Sequence, residues 1–304
     1  MSVVLLSGGG GGARFARGLQ DVLGPGELTI VGNVGDDVEV LGMNVSPDLD
    51  SLLYALAGLL DDERGWGRSG ETWNALAAAG AWGGEDWFRL GDLDLGLHLV
   101  RTRGLREGHA LSEITAELVE RAGLDTRILP ATDDRLRTHV VTPSGTFAFQ
   151  EWFVARAHRD EIDDVVYEGA QEANAAPGVV EALRDTTAIL LAPSNPYLSL
   201  GPIFAVSAIR EAVASRRVRS VAVSPLVGGK AVTGPLDRML LRMSGGTSPA
   251  HVTSCHEGLI DALVIDEADA PAEAPVELVV TSTLMRDRDA ARRLAERALE
   301  TACG

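Results

Sequence analysis

The sequence predicts an α/β fold with a doubly wound, mostly parallel, Rossmann-like sheet. Two observations indicate this class. Short apolar runs of strand length alternate with segments whose apolar residues recur at helical spacing. Several of these runs end in turns rich in glycine, proline or asparagine, the residues that close strands.

The N-terminal part begins with two βα units. Residues 3–6 form an apolar run typical of a buried parallel strand, and the helix after them carries apolar residues at 15, 19 and 22. Residues 28–31 predict the second strand. Ser46 and Pro47 then mark a helix start, with serine at the N-cap and proline at the first helical position. Apolar residues at 49, 52, 53, 56, 59 and 60 give this helix a stripe that can be buried.

The middle of the chain has a different character. Residues from about 61 to 125 contain four of the five tryptophans and few strand signals. We expect a mostly helical insertion here, against one edge of the sheet, ending in a helix over 112–122. Residues 138–142 and 146–154, separated by Pro143-Ser144-Gly145, predict one β-hairpin.

The C-terminal half resumes the alternation of strands and helices. Strands are predicted over 188–191, 220–223, 262–265 and 276–280, and helices over 203–215, 235–243 and 286–301. No interdomain linker is evident, so residues 1–304 are expected to form a single α/β domain.

Composition and charge limit the function. The net charge is −17 and no basic stripe exists, which disfavours a nucleic-acid partner. No apolar run approaches the ~20 residues that span a bilayer, so no membrane association is expected. Two cysteines and no signal-peptide pattern predict a cytoplasmic protein without disulfides. If so acidic a protein binds an anion, it needs local positive charge, backbone N–H groups or a divalent cation.

A glycine-rich turn, Ser7 to Gly12, follows the first strand. Its Gly8-x-Gly10-x-x-Ala13 pattern fits the loose dinucleotide fingerprint, and no Lys-Ser or Lys-Thr pair follows to make a Walker motif. A flexible turn is the alternative, but the flanking strand and amphipathic helix favour phosphate binding. The backbone N–H groups that we expect to contact the phosphate belong to Gly9, Gly10, Gly11 and Gly12.

Carboxylates follow the second strand. Asp36, Asp37, Asp48 and Asp50 lie within 15 residues. A dinucleotide fold places one acid here to hold a ribose, which leaves the others unexplained. Near a phosphate they require a cation, and Mg²⁺ takes one or two carboxylates together with phosphate oxygens. Asp36, Asp37 and Asp48 are therefore predicted metal ligands, although first-turn charge on a helix explains Asp48 equally well.

Further polar candidates follow later strands or begin helices. Arg89 and Arg101 flank Asp92 and His98, where the acid has the alternative role of a helix cap. The rigid loop Pro193-Ser194-Asn195-Pro196 exposes Ser194 and Asn195, and Ser199 precedes the next helix; a plain turn is the alternative.

Lys230 is the only lysine among 27 basic residues. It stands in Gly228-Gly229-Lys230, which indicates a role that arginine does not fill, with chance as the alternative. Because the carboxyl ends of parallel strands share one edge, these distant loops are expected to converge on one crevice. No spacing typical of a covalent nucleophile or a zinc site is present.

The ordered set of motifs resembles the 2-phospho-L-lactate transferases, which make the deazaflavin coenzyme F-420. The resemblance runs from about residue 3 to 267. Its motifs are Gly8-Gly9-Gly10-Gly11-Gly12-Ala13, Asn33-Val34-Gly35-Asp36-Asp37, Ser46-Pro47-Asp48-Leu49-Asp50 with Tyr54, Gly65-Trp66-Gly67, Leu90-Gly91-Asp92, Phe149-Gln150-Glu151, Pro193-Ser194-Asn195-Pro196 with Gly201-Pro202-Ile203, and Ser224-Pro225 with Gly229-Lys230.

The resemblance implies a Mg²⁺-dependent transferase. Such an enzyme moves a phosphate-linked three-carbon acid from a guanosine diphosphate donor to the ribityl hydroxyl of the 8-hydroxy-5-deazaflavin precursor, and GMP leaves. The motifs at 33–37, 71–74 and 150–152 resemble the actinobacterial branch, which favours phosphoenolpyruvyl over 2-phospholactyl as the transferred group. A homodimer is also implied.

The resemblance also implies roles for individual residues. Asp36 and Asp37 match acids on the metal side, and Asp50 and Arg89 match acceptor contacts. Two departures are Gly10, where the family usually has threonine, and Leu93, where it often has arginine. The expected acceptor-binding residues are Asp50, Arg89, Asp92 and His98. The expected donor-binding residues are Gly9, Gly10, Gly11, Gly12, Asn33, Ser194, Asn195, Ser199 and Lys230.

Asp50 and Lys230 are the expected catalytic residues. Asp50 would orient or deprotonate the attacking hydroxyl, and Lys230 would neutralise the departing GMP. Two alternative functions are weighed. A sugar-nucleotide-binding regulator of the related glycine-loop class usually has Gly-Gly-Ser-Ser-Gly after the acid pair, where this chain has residues 38–42, Val-Glu-Val-Leu-Gly. An NAD-dependent oxidoreductase leaves the second acid and the Pro193 loop unexplained.

Overall fold

The computed structural model describes all residues from Met1 to Gly304. Its N-terminal part alternates strands and helices as the sequence predicts. The elements in chain order are β1 (Val3–Ser7), α1 (Gly9–Gln20), β2 (Leu28–Gly32), β3 (Val38–Val40), β4 (Met43–Val45) and α2 (Pro47–Leu56).

The middle part contains the predicted helices and a small antiparallel sheet. Its elements are α3 (Asn74–Ala81), α4 (Asp94–Arg106), α5 (Leu111–Arg121), β5 (Arg127–Pro130), β6 (Arg137–Thr142), β7 (Gly145–Ala148) and β8 (Asp164–Glu168). The last part contains α6 (Val179–Asp185), β9 (Ala188–Leu191), α7 (Leu200–Ala205), α8 (Ser207–Ala214), β10 (Ser220–Val223), β11 (Leu226–Val227), β12 (Lys230–Ala231), α9 (Leu236–Ser244), α10 (Pro249–Ser254), β13 (Ala262–Asp266), β14 (Glu277–Thr281) and α11 (Arg288–Cys303).

Seven strands form one parallel sheet in the order β14-β13-β10-β9-β1-β2-β5. From β1 the chain moves outward to β2 and β5, and then returns to β9 on the other side of β1. The direction of winding therefore reverses between β1 and β9. In open α/β sheets such a reversal leaves a crevice at the carboxyl ends of the strands, where ligands bind.

Both faces of this sheet are buried. Val3 and Leu5 of β1 pack into one core with α1, α2, α5 and α11, whereas Val4 and Leu6 pack into the other core with α6 to α10. Successive side chains of a strand point to opposite faces, so a strand covered on both sides is apolar throughout. The predicted doubly wound, mostly parallel α/β fold is confirmed.

The predicted hairpin is present, but its second arm is shorter than expected. β6 pairs with β7 and also with β8 in a three-stranded antiparallel sheet. The extension of the second arm to residue 154 was wrong, because Glu151–Ala155 form a turn of π-helix. Phe149 and Phe153 stack with ring centroids 5.2 Å apart, and fully buried Trp152 anchors the turn. Aromatic residues with this helical spacing do not suit the alternation of a strand.

One other helical prediction differs in detail. The predicted helix over 203–215 is divided into α7 and α8, because Val206 takes an extended backbone conformation. In the middle part, α5 leads into the edge strand β5 and packs against it, as a crossover helix does. None of the eleven helices combines the length and the apolar composition needed to cross a bilayer.

Candidate active site

A cavity of about 650 Å³ opens at the carboxyl ends of the strands. Loops after β1, β2, β9, β10 and β14 line it, together with α2, α4 and the π-helical turn. The structure thus brings most of the predicted site residues to one place. The predicted residues that line the cavity are Gly9, Gly10, Gly11, Asp36, Asp48, Asp50, Arg89, His98, Ser194, Asn195 and Ser199.

The glycine-rich segment is the start of a helix rather than a free loop, since α1 begins at Gly9. The first N–H groups of a helix have no partner within it, and the helix dipole favours an anion there. The N–H of Gly9 donates to Asp48 Oδ1 at 2.7 Å. Gly10 and Gly11, in the first turn, also line the cavity. Their N–H groups are available to a phosphate.

Close packing explains why glycine is required next to this turn. The Ser194 hydroxyl donates to the carbonyl of Gly8 at 2.6 Å, which joins the loops after β1 and β9. A Cβ atom on Gly8 would lie 2.5 Å from Asp48 Oδ2, and one on Gly12 would lie 2.3 Å from the Ser7 hydroxyl. Gly12 is therefore a packing residue, and it does not line the cavity.

Asn33 joins two of the predicted metal ligands. Its amide Nδ2 donates to Asp48 Oδ2 at 2.9 Å and to Asp36 Oδ1 at 3.3 Å. Its Oδ1 accepts the N–H of Gly35 at 2.8 Å. Asn33 is buried and does not line the cavity, so the geometry supports a positioning role for Asn33 in place of the predicted donor contact.

The two joined carboxylates are buried and costly to ionise. Burial, followed by the negative charges of Asp48 and Asp37, raises the pKa of Asp36 well above its usual range. Burial raises the pKa of Asp48 to about 6. Gln150 donates its amide to the Asp36 carbonyl at 3.2 Å. Two adjacent oxygen ligands that repel each other form the kind of donor set that suits Mg²⁺ bridged to a phosphate.

Asp37 is bonded differently from this pair. It does not line the cavity, and its Oδ2 accepts a hydrogen bond from Ser46 at 2.9 Å. Burial raises the pKa of Asp37 to about 7. No group of three acidic, histidine or cysteine side chains is arranged to hold a metal by itself. The geometry therefore favours two protein carboxylates, Asp36 and Asp48, over the predicted three.

Asp50 has a partner that the sequence did not reveal. Arg101 donates to both carboxylate oxygens of Asp50 through its two terminal nitrogens. His98 Nδ1 lies 3.7 Å from Asp50 Oδ2, and burial lowers the pKa of His98, which keeps the imidazole neutral. Asp50 and His98 line the cavity as predicted, whereas Arg101 stands behind them and fixes Asp50.

Asp92 lies outside the cavity. Its carboxylate accepts hydrogen bonds from the Thr72 hydroxyl, from the backbone N–H of Asn74 at 3.1 Å and from that of Ala75 at 2.9 Å. These bonds cap the start of α3, whereas the alternative role considered for Asp92 was a cap of the helix that its own segment opens. The geometry does not support the predicted contact of Asp92 with the acceptor.

Lys230 also lies outside the cavity, on β12, where it is exposed and forms no ion pair. Positive charge reaches the cavity from two arginines instead. Arg14 of α1, which the sequence reading overlooked, lines the cavity near the glycines and pairs with no carboxylate. Arg89 also lines the cavity, with its guanidinium 5.9 Å from the Trp73 ring.

One wall of the cavity was not predicted from the sequence. It comprises residues 232–236, which follow β12, and Thr283, Leu284 and Met285, which follow β14. Asp266 holds this last loop by accepting the N–H of Thr283 at 2.8 Å and its hydroxyl at 3.1 Å. The hydrogen-bonding pattern of these residues has no local sequence signal, because Asp266 and Thr283 are 17 residues apart.

Comparison with known proteins identifies the family. The family model described as 2-phospho-L-lactate transferase CofD matches residues 3–300. The chain belongs to this family. It is 42% identical to a phosphoenolpyruvate transferase of Kitasatospora aureofaciens, covering 99% of this chain and 98% of the relative. It is 39% identical to the phosphoenolpyruvate transferase of Mycolicibacterium smegmatis, with 99% of each chain covered.

Membership of the 2-phospho-L-lactate transferase family makes this chain a transferase and decides against the oxidoreductase and the regulator. The resemblance seen in the sequence is thereby confirmed, including its actinobacterial branch. Among solved structures, protein BH3568 of Bacillus halodurans superposes with a TM-score of 0.64, covering 98% of this chain and 99% of that one. At 17% identity this likeness shows the shared fold alone.

Proposed function

We propose that the protein transfers a phosphoenolpyruvyl group from a guanosine diphosphate-linked donor to the hydroxyl of the 8-hydroxy-5-deazaflavin precursor, in coenzyme F-420 biosynthesis. One observation carries this proposal. The phosphate-binding start of α1, the carboxylate pair Asp36–Asp48 and the carboxylate of Asp50 all line one cavity. A nucleotide donor, a cation and a hydroxyl acceptor can therefore meet there.

The donor's diphosphate is placed by the start of α1. Asp48 accepts the N–H of Gly9, which leaves Gly10 and Gly11 to bind phosphate oxygens. Arg14, one turn further into α1, adds a positive charge that no carboxylate neutralises. The nucleoside then extends towards Ser194, Asn195 and the wall at 283–285.

Asp36 and Asp48 would hold a Mg²⁺ ion. When bound, the ion supplies neutralisation of the diphosphate charge during the transfer. Asn33 keeps the two carboxylates adjacent by donating to both of them. Without a cation this pair is held together at a cost, because both groups are buried and their charges repel.

Asp50 orients the acceptor. Its oxygens already accept two hydrogen bonds from Arg101, so its remaining lone pairs can hold a hydroxyl in place. This geometry favours orientation over deprotonation. The hydroxyl oxygen attacks the phosphorus that carries the three-carbon acid, and the bond from that phosphorus to the bridging oxygen breaks. GMP leaves with the electron pair of that bond, and its phosphate takes up the hydroxyl proton. Holding both reactants in one cavity, in the orientation for attack, supplies most of the rate acceleration.

The choice of phosphoenolpyruvyl as the transferred group is supported by the relatives, which are named phosphoenolpyruvate transferases. The test is to incubate the protein with the deazaflavin precursor, Mg²⁺ and either the enolpyruvyl or the lactyl guanosine diphosphate donor, and to weigh the product. We expect the dehydro product from the enolpyruvyl donor at the higher rate. Preference for the lactyl donor would overturn the choice of donor, and absence of both products would overturn the proposal.

Homodimeric assembly and a cytoplasmic location stay predictions. The chain mass is 32.1 kDa, and light scattering on the purified protein should give twice that value.

A further inference from the structure

Two helices line one side of the cavity with a row of polar side chains, which we call the α2–α4 seam. It comprises Asp50 and Tyr54 of α2 and Asp94, His98 and Arg101 of α4. Residues three or four apart lie on the same face of a helix, so each helix presents its members to the other. All five are at least nine-tenths buried, and all except Arg101 line the cavity.

Half of this seam is bonded internally, although Arg101 Nε has no partner. Arg101 binds both oxygens of Asp50, and its NH1 lies 3.4 Å from His98 Nδ1. The main chain of Asp94 is also fixed, because its N–H donates to Glu71 Oε1 at 2.8 Å. These bonds hold the seam rigidly whether or not a ligand is present.

The other half is only weakly paired. The Tyr54 hydroxyl and the Asp94 carboxylate lie next to each other, but the hydroxyl and Asp94 Oδ1 are buried and form no hydrogen bond of good geometry. Tyr54 is only 4% exposed and Asp94 only 8%. Native proteins rarely leave buried polar atoms unpaired, since each such atom costs free energy. A donor–acceptor group beside an acceptor suits hydroxyl groups, which donate and accept at once.

The helix dipole accounts for only part of this arrangement. It favours a carboxylate in the first turn of α4, but it does not explain why the carboxylate and the Tyr54 hydroxyl both line the cavity. Burial raises the pKa of both Asp94 and Tyr54, so the surroundings disfavour charge on either group. A pair of groups on which negative charge is disfavoured suits a neutral polyol better than an anion.

We propose that Tyr54 and Asp94 bind adjacent hydroxyl groups of the acceptor's polyhydroxylated chain and so select it over analogues that lack them. This inference rests on the proposed function, because that function supplies an acceptor with such a chain. Asp50 lies one helical turn from Tyr54, so hydroxyls held by Tyr54 and Asp94 place a neighbouring hydroxyl at Asp50. Tyr54 and Asp94 are thus specificity-determining residues.

The test measures binding of two probes to the full-length protein without donor, by quenching of protein fluorescence. One probe is the 8-hydroxy-5-deazaflavin with its ribityl chain, and the other has the same ring with an unsubstituted alkyl chain. Tyr54→Phe and Asp94→Asn should each weaken binding of the hydroxylated probe by about 10-fold and leave binding of the alkyl probe unchanged. The donor KM should not change.

Matched controls are Tyr167→Phe, which removes a hydroxyl bonded to the Tyr197 carbonyl outside the cavity, and Asp289→Asn, an exposed first-turn carboxylate of α11. Both should bind the two probes as the wild type does. If Asp94→Asn does not fold, Tyr54→Phe alone decides.

The outcomes separate this inference from the proposed function. If the wild type turns over the acceptor but the variants bind both probes equally more weakly, or bind both as the wild type does, the inference is overturned and the proposed function stands. If the wild type neither binds nor turns over the ribityl deazaflavin, the proposed function fails and the inference falls with it.

Discussion

Asp48 connects the phosphate-binding part of the site with its acidic part. One carboxylate oxygen accepts the N–H of Gly9, and the other accepts the amide of Asn33, which also binds Asp36. The same side chain thus fixes the start of α1 and completes the carboxylate pair. A residue with both functions should be far more sensitive to substitution than Asp37, which bonds to Ser46 outside the cavity.

Asp48→Asn should lower kcat by about 100-fold or more, because the amide cannot replace a carboxylate as a Mg²⁺ ligand. Asp37→Asn should stay within about 10-fold of the wild type, as expected of a group that only supports the site. Steady-state kinetics over a range of Mg²⁺ concentrations measure both. The reverse order of sensitivity would show that Asp37, not Asp48, is the ligand.

Two residues differ in how they can supply positive charge to the donor. Arg14→Ala should raise the donor KM by about 10-fold, since it removes an unpaired cation beside the diphosphate site. Lys230→Ala should change the donor KM by less than about 3-fold, because Lys230 lies outside the cavity. A large effect at Lys230 would restore the catalytic role that its rarity in the sequence predicted.

At the scale of elements, the start of α1 depends on a close approach between its backbone and the neighbouring groups. Gly8 is extended, and a Cβ there would meet Asp48 and Ser199 at 2.5 and 2.8 Å. Gly10 has no side chain to offer, and its Cβ position lies 3.1 Å from the Gly65 carbonyl. The phosphate is therefore bound by N–H groups alone in this segment.

Gly8→Ala should therefore abolish measurable donor binding and lower the free energy of unfolding by about 1–3 kcal/mol through overpacking. Gly96→Ala is the control, because Gly96 lies inside α4 with open space around its Cβ position. That change should raise stability by up to about 1 kcal/mol. Calorimetry of donor binding and urea unfolding measure both, and normal binding by the Gly8 variant would refute the close approach.

At this scale, most of the correct predictions came from local sequence patterns. Apolar runs identified six of the seven parallel strands, all except β5, and the loops after β1, β2 and β9 were correctly placed at one edge. Local patterns failed where contacts between residues far apart in sequence determine the structure. The partners Asp50 and Arg101 are 51 residues apart, and the wall at Thr283 depends on Asp266. Arg14 had no distinguishing signal among 26 arginines, since only the direction of its helix brings it to the cavity.

The whole molecule carries a buried histidine that links its stability to pH. His256 is 2% exposed and its Nδ1 has no partner. Burial, followed by the charge of Arg210, lowers the pKa of His256 to about 4. The unfolded chain takes up this proton near the ordinary pKa of about 6.5, so it binds more protons than the native state between these values. Stability therefore falls as pH decreases from 6.5 towards 4.

His256→Gln should remove this part of the pH dependence. Relative to the wild type, the variant should gain on the order of 2 kcal/mol between pH 7 and pH 4.5, whatever packing costs it suffers at neutral pH. Urea unfolding at the two pH values measures the difference. Parallel pH profiles for the two proteins would show that His256 does not titrate in this range.

In the proposed function, one cavity holds donor, cation and acceptor together for direct transfer. A crystal structure of the unreactive complex with GDP, Mg²⁺ and the deazaflavin precursor tests it most directly. We predict the diphosphate on the N–H groups of Gly10 and Gly11, the ion between it and the Asp36–Asp48 pair, and the acceptor chain against Asp50. A diphosphate bound elsewhere, or an acceptor far from Asp50, would contradict the account.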